Sequence, residues 1–565
     1  MNTLADRQTD VTQDIHSDLI SNKILARFID MRKILMTALV LGASSALQAQ
    51  DTYLNERLVN SAGEINGTAR YVGMGGAMGA LGADLSCMSY NPAGIGLYRR
   101  NDIGFTAGAQ WNTQKVDGLK NARGTFDQIG FVWSSRLDND KMPFLNFGFN
   151  YQKKINFGQG FIADNPNLAG LSQMDQLADL ATGRFDTDNN LAGAAVDYDF
   201  LTPFDANGNI TSDKDNIDSY LNKYNGEKAF YTHDQWGGLN AFDINVSGNA
   251  NDRFYWGLTL GFENLKYHAY TDYFEMSSIV EDGIEKHGDY SLSNDRQIDG
   301  WGFNMKFGFI VRPIEDKPLR LGLTMETPTW YQLRSSTLYQ LYDEILGVGY
   351  SSSNNTLDES YLEYSLHNPI KGRLSIGSTV GSYLAWDVDW EFANYGKTSM
   401  GYPNGYNYDG SASLFNNKSD AAMNQKTHET LGFQHTVKAG IEVKPTKSLA
   451  LRLGYSFNKS PYKDNINFDQ YAIDSYAMEF ATSTSYMKVG NSNTLTLGLG
   501  YKYKNFYADM AYKVCGQKAD FYHFDDTFNL ENHTVVDTSG QPVRLAPTEV
   551  NLGRQQLTAT LGFKF

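Results

Sequence analysis

Apolar and polar residues alternate along this chain in short stretches separated by turn residues. The final segment shows it plainly: Leu557, Ala559, Leu561, Phe563 and Phe565 alternate with Gln556, Thr558, Thr560, Gly562 and Lys564. A period of two puts all the apolar side chains on one face of a strand. The pattern recurs at Ile103–Trp111, Ile129–Trp133, Leu145–Tyr151, Phe242–Val246, Trp256–Phe262, Phe303–Val311 and Leu319–Met325. It continues at Leu374–Val380, Trp386–Phe392, Val437–Val443, Leu449–Phe457, Leu495–Tyr503 and Phe506–Tyr512, which makes fourteen strands with the last. With their flanks these run to ~9–11 residues, the length a tilted strand needs to cross a bilayer. Connections after even strands are short (138–143, 249–253, 313–318, 381–383, 445–448, 504–505), and those after odd strands are long, the largest about 156–238. The fold expected is all-β: a 14-stranded antiparallel transmembrane β-barrel, closed so that no edge is left unpaired in lipid. Short turns and both termini then share the periplasmic side. Trp111, Trp133, Tyr151, Trp330, Tyr331, Tyr395, Tyr455 and Tyr512 near strand ends are expected to form the aromatic girdles.

Composition narrows this. There are only 13 Pro in 565 residues but 53 Gly, and 8 Trp, 35 Tyr and 32 Phe. Scarce Pro suits strands that need every backbone N–H. The net charge of −16 argues against a nucleic-acid partner, which requires a basic surface. Two Cys cannot make a disulfide framework. HExxH and GxSxG are missing from the sequence, and the DTDNN run (Asp186, Asp188, Asn190) has Leu191 where a calcium loop needs Gly. The expectation is therefore no catalytic residue, no metal, no cofactor and no enzyme activity. From Met31 the chain reads MRKILMTALVLGASSALQAQD, the form of a secretory signal over 31–49, which leaves residues 1–30 as an upstream extension from an earlier start codon.

Residues 50–100 do not read as strand. They contain Gly73-Met74-Gly75-Gly76-Ala77, Ala80-Leu81-Gly82-Ala83-Asp84 and Tyr90-Asn91-Pro92-Ala93-Gly94. The glycines miss a dinucleotide fingerprint, since its third Gly falls on Met78. Further along come Leu451-Arg452-Leu453-Gly454-Tyr455 with Ser460-Pro461, then Leu497-Gly498-Leu499-Gly500-Tyr501 and Ala508-Asp509-Met510-Ala511-Tyr512. In these motifs the chain resembles the FadL/TodX family, outer-membrane transporters of long-chain fatty acids and other hydrophobic compounds. The resemblance implies that residues 50–100 form an N-terminal plug (hatch) inside the barrel of 101–565. It also implies passive uptake of hydrophobic small molecules through loop capture, a lumen pocket and a lateral opening near a kink in the third strand. Gly75, Gly76, Asp84, Asn91, Pro92 and Gly94 are the plug and gating candidates, and Gly148, Gly158 and Gly160 the lateral-opening candidates. The long loop after the third strand departs from the family.

If apolar positions face lipid, the lumen receives Lys306, Arg320, Glu326, Arg373, Asp387, Asp389, Glu391, Lys438, Glu442, Arg452, Asp509 and Lys513. Most should pair with one another and with the plug, because buried charges require partners. Lys306, Arg320 and Arg452 are candidates for a substrate carboxylate, and Arg99 and Arg100 for pairing with Asp387 or Asp389. Leu168, Leu171, Met174, Leu177 and Leu180 have helical spacing in the long loop. A rival reading is a plugged barrel that serves as structural subunit of a larger outer-membrane complex, its extracellular loops docking other outer-membrane proteins.

Overall fold

The computed structural model describes residues 64–115, 118–182, 190–213, 216–281, 284–315, 317–346, 358–405, 416–464, 475–526 and 543–565. The upstream extension, the signal segment, the first part of the 50–100 segment, and Asp186 and Asp188 lie outside them.

The described strands form a closed, 14-stranded antiparallel barrel. They are β1 (Asp102–Asn112), β2 (Ala122–Arg136), β3 (Phe144–Asn156, resuming at Gln159–Asn165), β4 (Asn225–Ala250), β5 (Phe254–Glu281), β6 (Ile284–Val311) and β7 (Arg320–Glu326, resuming at Trp330–Leu346). Then come β8 (Asp358–His367 and Lys371–Val380), β9 (Leu384–Asn394 and Ser399–Pro403), β10 (Asn417–Ser419 and Phe433–Val443) and β11 (Leu449–Asn458). The last are β12 (Tyr486–Tyr503), β13 (Phe506–Tyr522) and β14 (Thr548–Asn551 and Arg554–Lys564). Closure comes from β1 on β14, with Asp102 opposite Lys564 through to Asn112 opposite Arg554.

Height decides which face is apolar. In the lower half of β5, Phe254 and Phe262 point outward and are exposed, while Thr259 and Glu263 point inward and are fully buried. Above Asn264 the parity holds and the polarity inverts. Leu265, Tyr267 and Tyr273 point inward and are buried, and Lys266 is exposed. β6 does the same, with Phe307 and Phe309 outside Lys306 low down, and Leu292 and Tyr290 inside higher up. A wall with lipid outside keeps its polar groups inside, whereas a wall with water outside keeps its apolar groups inside. The inversion therefore marks the edge of the membrane band. β5 has 28 residues, so roughly 17 beyond an ~11-residue span rise above it. The long connection after β3 consequently runs over 166–224, shorter than the 156–238 expected.

The raised part has an ordinary hydrophobic core, built from Phe157, Tyr231, Tyr267 and Tyr290 of the wall together with loop residues. α3 (Gln173–Ala181) lies in it; Ser172 caps it, with Asp175 reaching back to complete the capping box. Leu168, Leu171, Met174, Leu177 and Leu180 are all buried there, as is Leu191 of α4 (Leu191–Asp197). In the segment before β1, α1 (Ala69–Gly73) and α2 (Cys87–Tyr90) are single short turns.

The girdle needs correcting at two positions. Trp133, Trp330 and Tyr455 are exposed outward, but Tyr331 and Tyr395 are buried inward, each 1% exposed. Pro328 interrupts β7 between Glu326 and Trp330, and the residues skipped there switch the outward set from odd to even numbers.

Candidate functional site

The described part of the inner segment, residues 64–98, is bound to the wall on all sides. Asn66 Nδ2 donates to Asp127 Oδ1 of β2 and to the Lys153 carbonyl of β3, both at 2.9 Å. The Ala69 N–H donates to Thr560 Oγ1 of β14 (2.7 Å), and Thr496 Oγ1 of β12 donates to the Gly73 carbonyl (3.2 Å). Ser89 Oγ donates to Asp243 of β4, and Arg373 Nη1 of β8 to the Tyr90 carbonyl (3.2 Å). β9 makes the densest attachment. Asp389 Oδ2 accepts the N–H groups of Met78 and Gly79 (3.1 Å each), and Asp387 Oδ2 those of Ala80 and Leu81 (3.0 and 2.9 Å). Arg99 instead pairs with Asp252 in a short turn, so the expected pairing with Asp387 or Asp389 does not form. Those carboxylates are already taken by four consecutive amides.

Glycines bring the two backbones together. Gly75 and Gly76 sit at φ +65° and +74°, a left-handed turn open to glycine. That turn lies on Gly440 and Gly454, where a Cβ would come 2.3 Å from the Met74 carbonyl oxygen and 2.1 Å from the Gly75 nitrogen. Pro92 rests on Gly257 in the same way, at 2.3 Å. Asp84 and Asn91 fold the segment on itself. Asp84 Oδ1 accepts from Thr68 Oγ1 (2.8 Å), and Asn91 Nδ2 donates to the Gly79 carbonyl (2.6 Å). Gly94 closes the fold through its carbonyl, which accepts the Ala83 N–H at 2.9 Å.

The twelve lumen charges read from alternation all point inward, and only Arg320 among them is more than about a tenth exposed. They form ladders. Lys306 pairs with Asp243 at 3.0 Å with both side chains fully buried. Arg452 holds Glu442 (2.7 Å) and Asp509 (2.5 Å), and Arg70 of the inner segment joins Glu442 at 3.2 Å. Arg373 bridges Glu326 (2.8 Å) and Glu391 (2.5 Å). Of the three carboxylate candidates, Lys306 and Arg452 are thus neutralised by their neighbours. Arg320 donates to the Leu81 carbonyl at 2.8 Å, holding the inner segment.

A cavity of about 90 Å³ remains between the inner segment and the wall, room for several waters. Its lining includes Gln152, Lys154, Ile155, Lys371, Arg373, Glu391 and Lys438 of the wall and Glu64, Asn66, Tyr71, Ser89 and Tyr90 of the inner segment. Lys154 pairs with Glu263 (2.8 Å). The Lys371 ammonium makes no ion pair or hydrogen bond among the described residues, and Asn368 Oδ1 also lacks a partner there. Sequence alternation missed Lys154 and Lys371 because both lie beside interruptions in their strands.

The cavity abuts a break in the wall. The β2–β3 ladder ends at Gln128 opposite Gln152. Above it, among the described residues, Ala122–Asp127 pairs only with β1, and Gln159–Asn165 only with β4. β3 shifts register between Lys153 and Ile155 and is interrupted at Phe157-Gly158. Side chains take the place of the missing ladder: Asn66 on the Lys153 carbonyl, Gln110 Nε2 on the Gly158 carbonyl (2.8 Å) and Arg554 Nη1 on the Asn156 carbonyl (2.9 Å). Gly158 borders this break, where a Cβ would lie 2.8 Å from Arg123 Cδ. Gly160 faces Leu119, and Gly148 lies lower, against Met88 of the inner segment.

No family model matches the chain, and no curated protein matches it. Among solved structures it is similar to a Pseudomonas aeruginosa FadL homologue, at 12% identity over 88% of this chain and 98% of that one, TM-score 0.47. It is similar to the Ralstonia pickettii toluene transporter TbuX at 12% identity, 88% and 98% coverage and TM-score 0.43. It is also similar to the Pseudomonas putida toluene transporter TodX, at 11% identity, 89% and 99% coverage and TM-score 0.43. The chain resembles FadL/TodX-type channels. The geometry of the barrel described above stands independently of that likeness.

Proposed function

We propose that this barrel is a bacterial outer-membrane channel for passive uptake of hydrophobic small molecules, long-chain fatty acids or aromatic compounds. Its short turns and termini face the periplasm. Substrate is gathered at the loop-covered mouth, held in the lumen cavity and released sideways between β2 and β3. The observation that carries this reading is the break in the β2–β3 ladder directly beside the cavity. The break begins at the upper edge of the membrane band, where Ile155 of β3 is already buried inward, and backbone groups withdrawn from water there still need partners. Here the partners are side chains of the inner segment and of neighbouring strands, which can swing away at less cost than a ladder. The Lys371 ammonium favours substrates with an acidic head, because a partly buried cation with no ion pair gains most from a carboxylate.

A second reading has an observation of its own. The lumen is crossed by ion-paired ladders and the mouth is filled by a packed apolar core, as suits a plugged structural subunit. The test is uptake and binding of a long-chain fatty acid and of a small aromatic. It compares the native barrel with Arg123→Cys/Gly158→Cys bridged by a short bifunctional thiol reagent. Transport through the wall predicts that bridging abolishes uptake and spares binding. Uptake that survives bridging overturns the lateral route, and failure of both ligand classes to bind or accumulate overturns transport.

A further inference from the structure

The charge at the short-turn end is unevenly distributed. The turns at 138–143, 251–253 and 312–318 mix acids with bases, and Arg253 pairs with Glu315 there at 3.5 Å. The adjoining turns Lys444-Pro445-Thr446-Lys447-Ser448 and Lys502-Tyr503-Lys504-Asn505 hold four lysines and no acid, in a chain whose net charge is −16. They are neighbours in space, since the Lys502 N–H donates to the Ser448 carbonyl at 2.8 Å and the Lys444 N–H to the Tyr383 carbonyl at 2.7 Å. Lys444 leans inward onto Glu442 (3.2 Å). Lys447, Lys502 and Lys504 are exposed, and no described carboxylate pairs with them. Around them Tyr383, Tyr501, Tyr503 and Phe506 are each 55–63% exposed on the outer surface, and Lys504 Nζ lies 5.4 Å from the Tyr503 ring centroid.

Aromatic rings settle at headgroup depth. Lys504, in the turn one residue beyond Tyr503, and Lys447 in the adjoining turn therefore stand at phosphate depth, while Lys502 lies on the inward-facing register of β12 and is exposed at its end. An exposed basic cluster with no acid attracts anionic lipid in particular. We propose that Lys447, Lys502 and Lys504, with Tyr383, Tyr501 and Tyr503 beside them, form a binding surface for the anionic phospholipids of the leaflet that the short turns face. The inference rests on the outer-membrane orientation proposed above, in which that leaflet is phospholipid, and it is independent of what the barrel transports. The surface anchors one sector of the rim, β8 to β13.

The test titrates the purified, delipidated barrel in neutral detergent with phosphatidylglycerol or with phosphatidylcholine of the same chains, and counts bound lipid by native mass spectrometry. Each lysine contributes roughly fivefold, so Lys447→Gln/Lys502→Gln/Lys504→Gln weakens phosphatidylglycerol binding on the order of a hundredfold. Lys141→Gln/Lys317→Gln, in the mixed turns, changes it little, and raised salt weakens it in the native barrel. Heat-modifiable gel mobility confirms that the variants fold, and Lys502→Gln alone gives a smaller loss in the same direction. Equal binding of the two lipids by the native barrel overturns the proposal, as does a triple variant that binds like the native one. Displacement of the lipid by soluble polyglutamate at equal charge assigns the surface to an acidic protein and also overturns it.

Discussion

Gly454→Ala tests whether the inner segment is seated on the wall backbone to backbone. A Cβ at Gly454 would lie 2.1 Å from the Gly75 nitrogen, 2.4 Å from the Met74 carbonyl carbon and 2.5 Å from Gly75 Cα. Relaxed contacts of this kind begin near ~3.5 Å, so the turn must retreat by somewhat more than about 1 Å. It has little freedom to do so, because the Gly75 N–H is bonded to the Val72 carbonyl at 2.9 Å and Gly75 is already at φ +65°. Overpacking a core usually costs about 1–3 kcal/mol, and backbone on both sides of the contact puts this case at the upper end. The control is Gly516→Ala, where a Cβ meets nothing within 4 Å. Alanine there should gain about 0.5–1 kcal/mol over glycine.

The two alanines should therefore differ by about 3–4 kcal/mol in urea unfolding of the barrel in detergent. A second readout separates displacement of the segment from general weakening. Cys87 is fully buried in the inner segment, and Cys515 is the other cysteine. In a Cys515→Ser background, a small maleimide should label Cys87 faster in Gly454→Ala than in Gly516→Ala under native conditions. If the two variants unfold together and label Cys87 at equal rates, the seat is not tight and the reasoning fails.

Glu275, in the raised part of β5, is pushed up to about 7, chiefly by burial, against bonds from Ser172, Tyr273 and Tyr290 that lower it. Its native form thus holds a proton that the unfolded chain loses near 4.5. The stability this confers is complete below pH 4.5 and lost as pH rises through 7, on the order of 3 kcal/mol. Glu275→Gln should raise the melting temperature at pH 8 and leave it unchanged at pH 4. An equal effect at both pH values would show that the proton is not involved. His523, pushed down to about 4 by burial, works in the opposite sense and loses stability as pH falls below 6.5, so His523→Phe should lessen acid sensitivity in a melting series from pH 4 to 7. Asn66→Ala strips the Lys153 carbonyl of its side-chain donor and should cost about 1–3 kcal/mol. Hydrogen exchange should show that loss first at Lys154–Asn156; uniform loss across the barrel would argue against a local role. Lys371→Met should reduce binding of a long-chain carboxylate while sparing a neutral aromatic, measured by equilibrium dialysis, and equal loss of both would remove Lys371 from substrate recognition.

What the sequence made legible follows from where a single solvent acts on a whole strand. Lipid outside and polar groups inside make Leu557 to Phe565 readable without partners, and the same holds for the lower part of every strand. Above the membrane edge the rule reverses while the alternation continues. The stretch Leu265-Lys266-Tyr267-His268 in β5 carries its apolar residues on the inward face, so a reading tuned to the lipid sense ends the strand at Phe262 and gives the remainder to a loop. Of the two misplaced girdle residues, Tyr395 keeps the inward register of Asp387, Asp389 and Glu391, and the misplacement of Tyr331 has a related origin. Alternation transmits a face assignment only along unbroken strand, and Pro328 breaks the strand before Tyr331. How far the candidate cations are engaged was illegible for a different reason. Whether a lumen lysine is satisfied depends on cross-strand neighbours far off in sequence: Asp243 for Lys306, 63 residues away, and the inner segment for Arg320. Lys371 falls just past the Pro369 interruption of β8, and Glu326 stands opposite it in the ladder, but Glu326 makes its ion pairs with Arg373 (2.8 Å) and Lys154 (3.6 Å) instead. Which cation Glu326 takes is decided by side-chain geometry across strands, which the pattern along one strand does not carry. Lys154 and Lys371 both stand beside strand interruptions, so alternation along one strand places neither of them on the cavity.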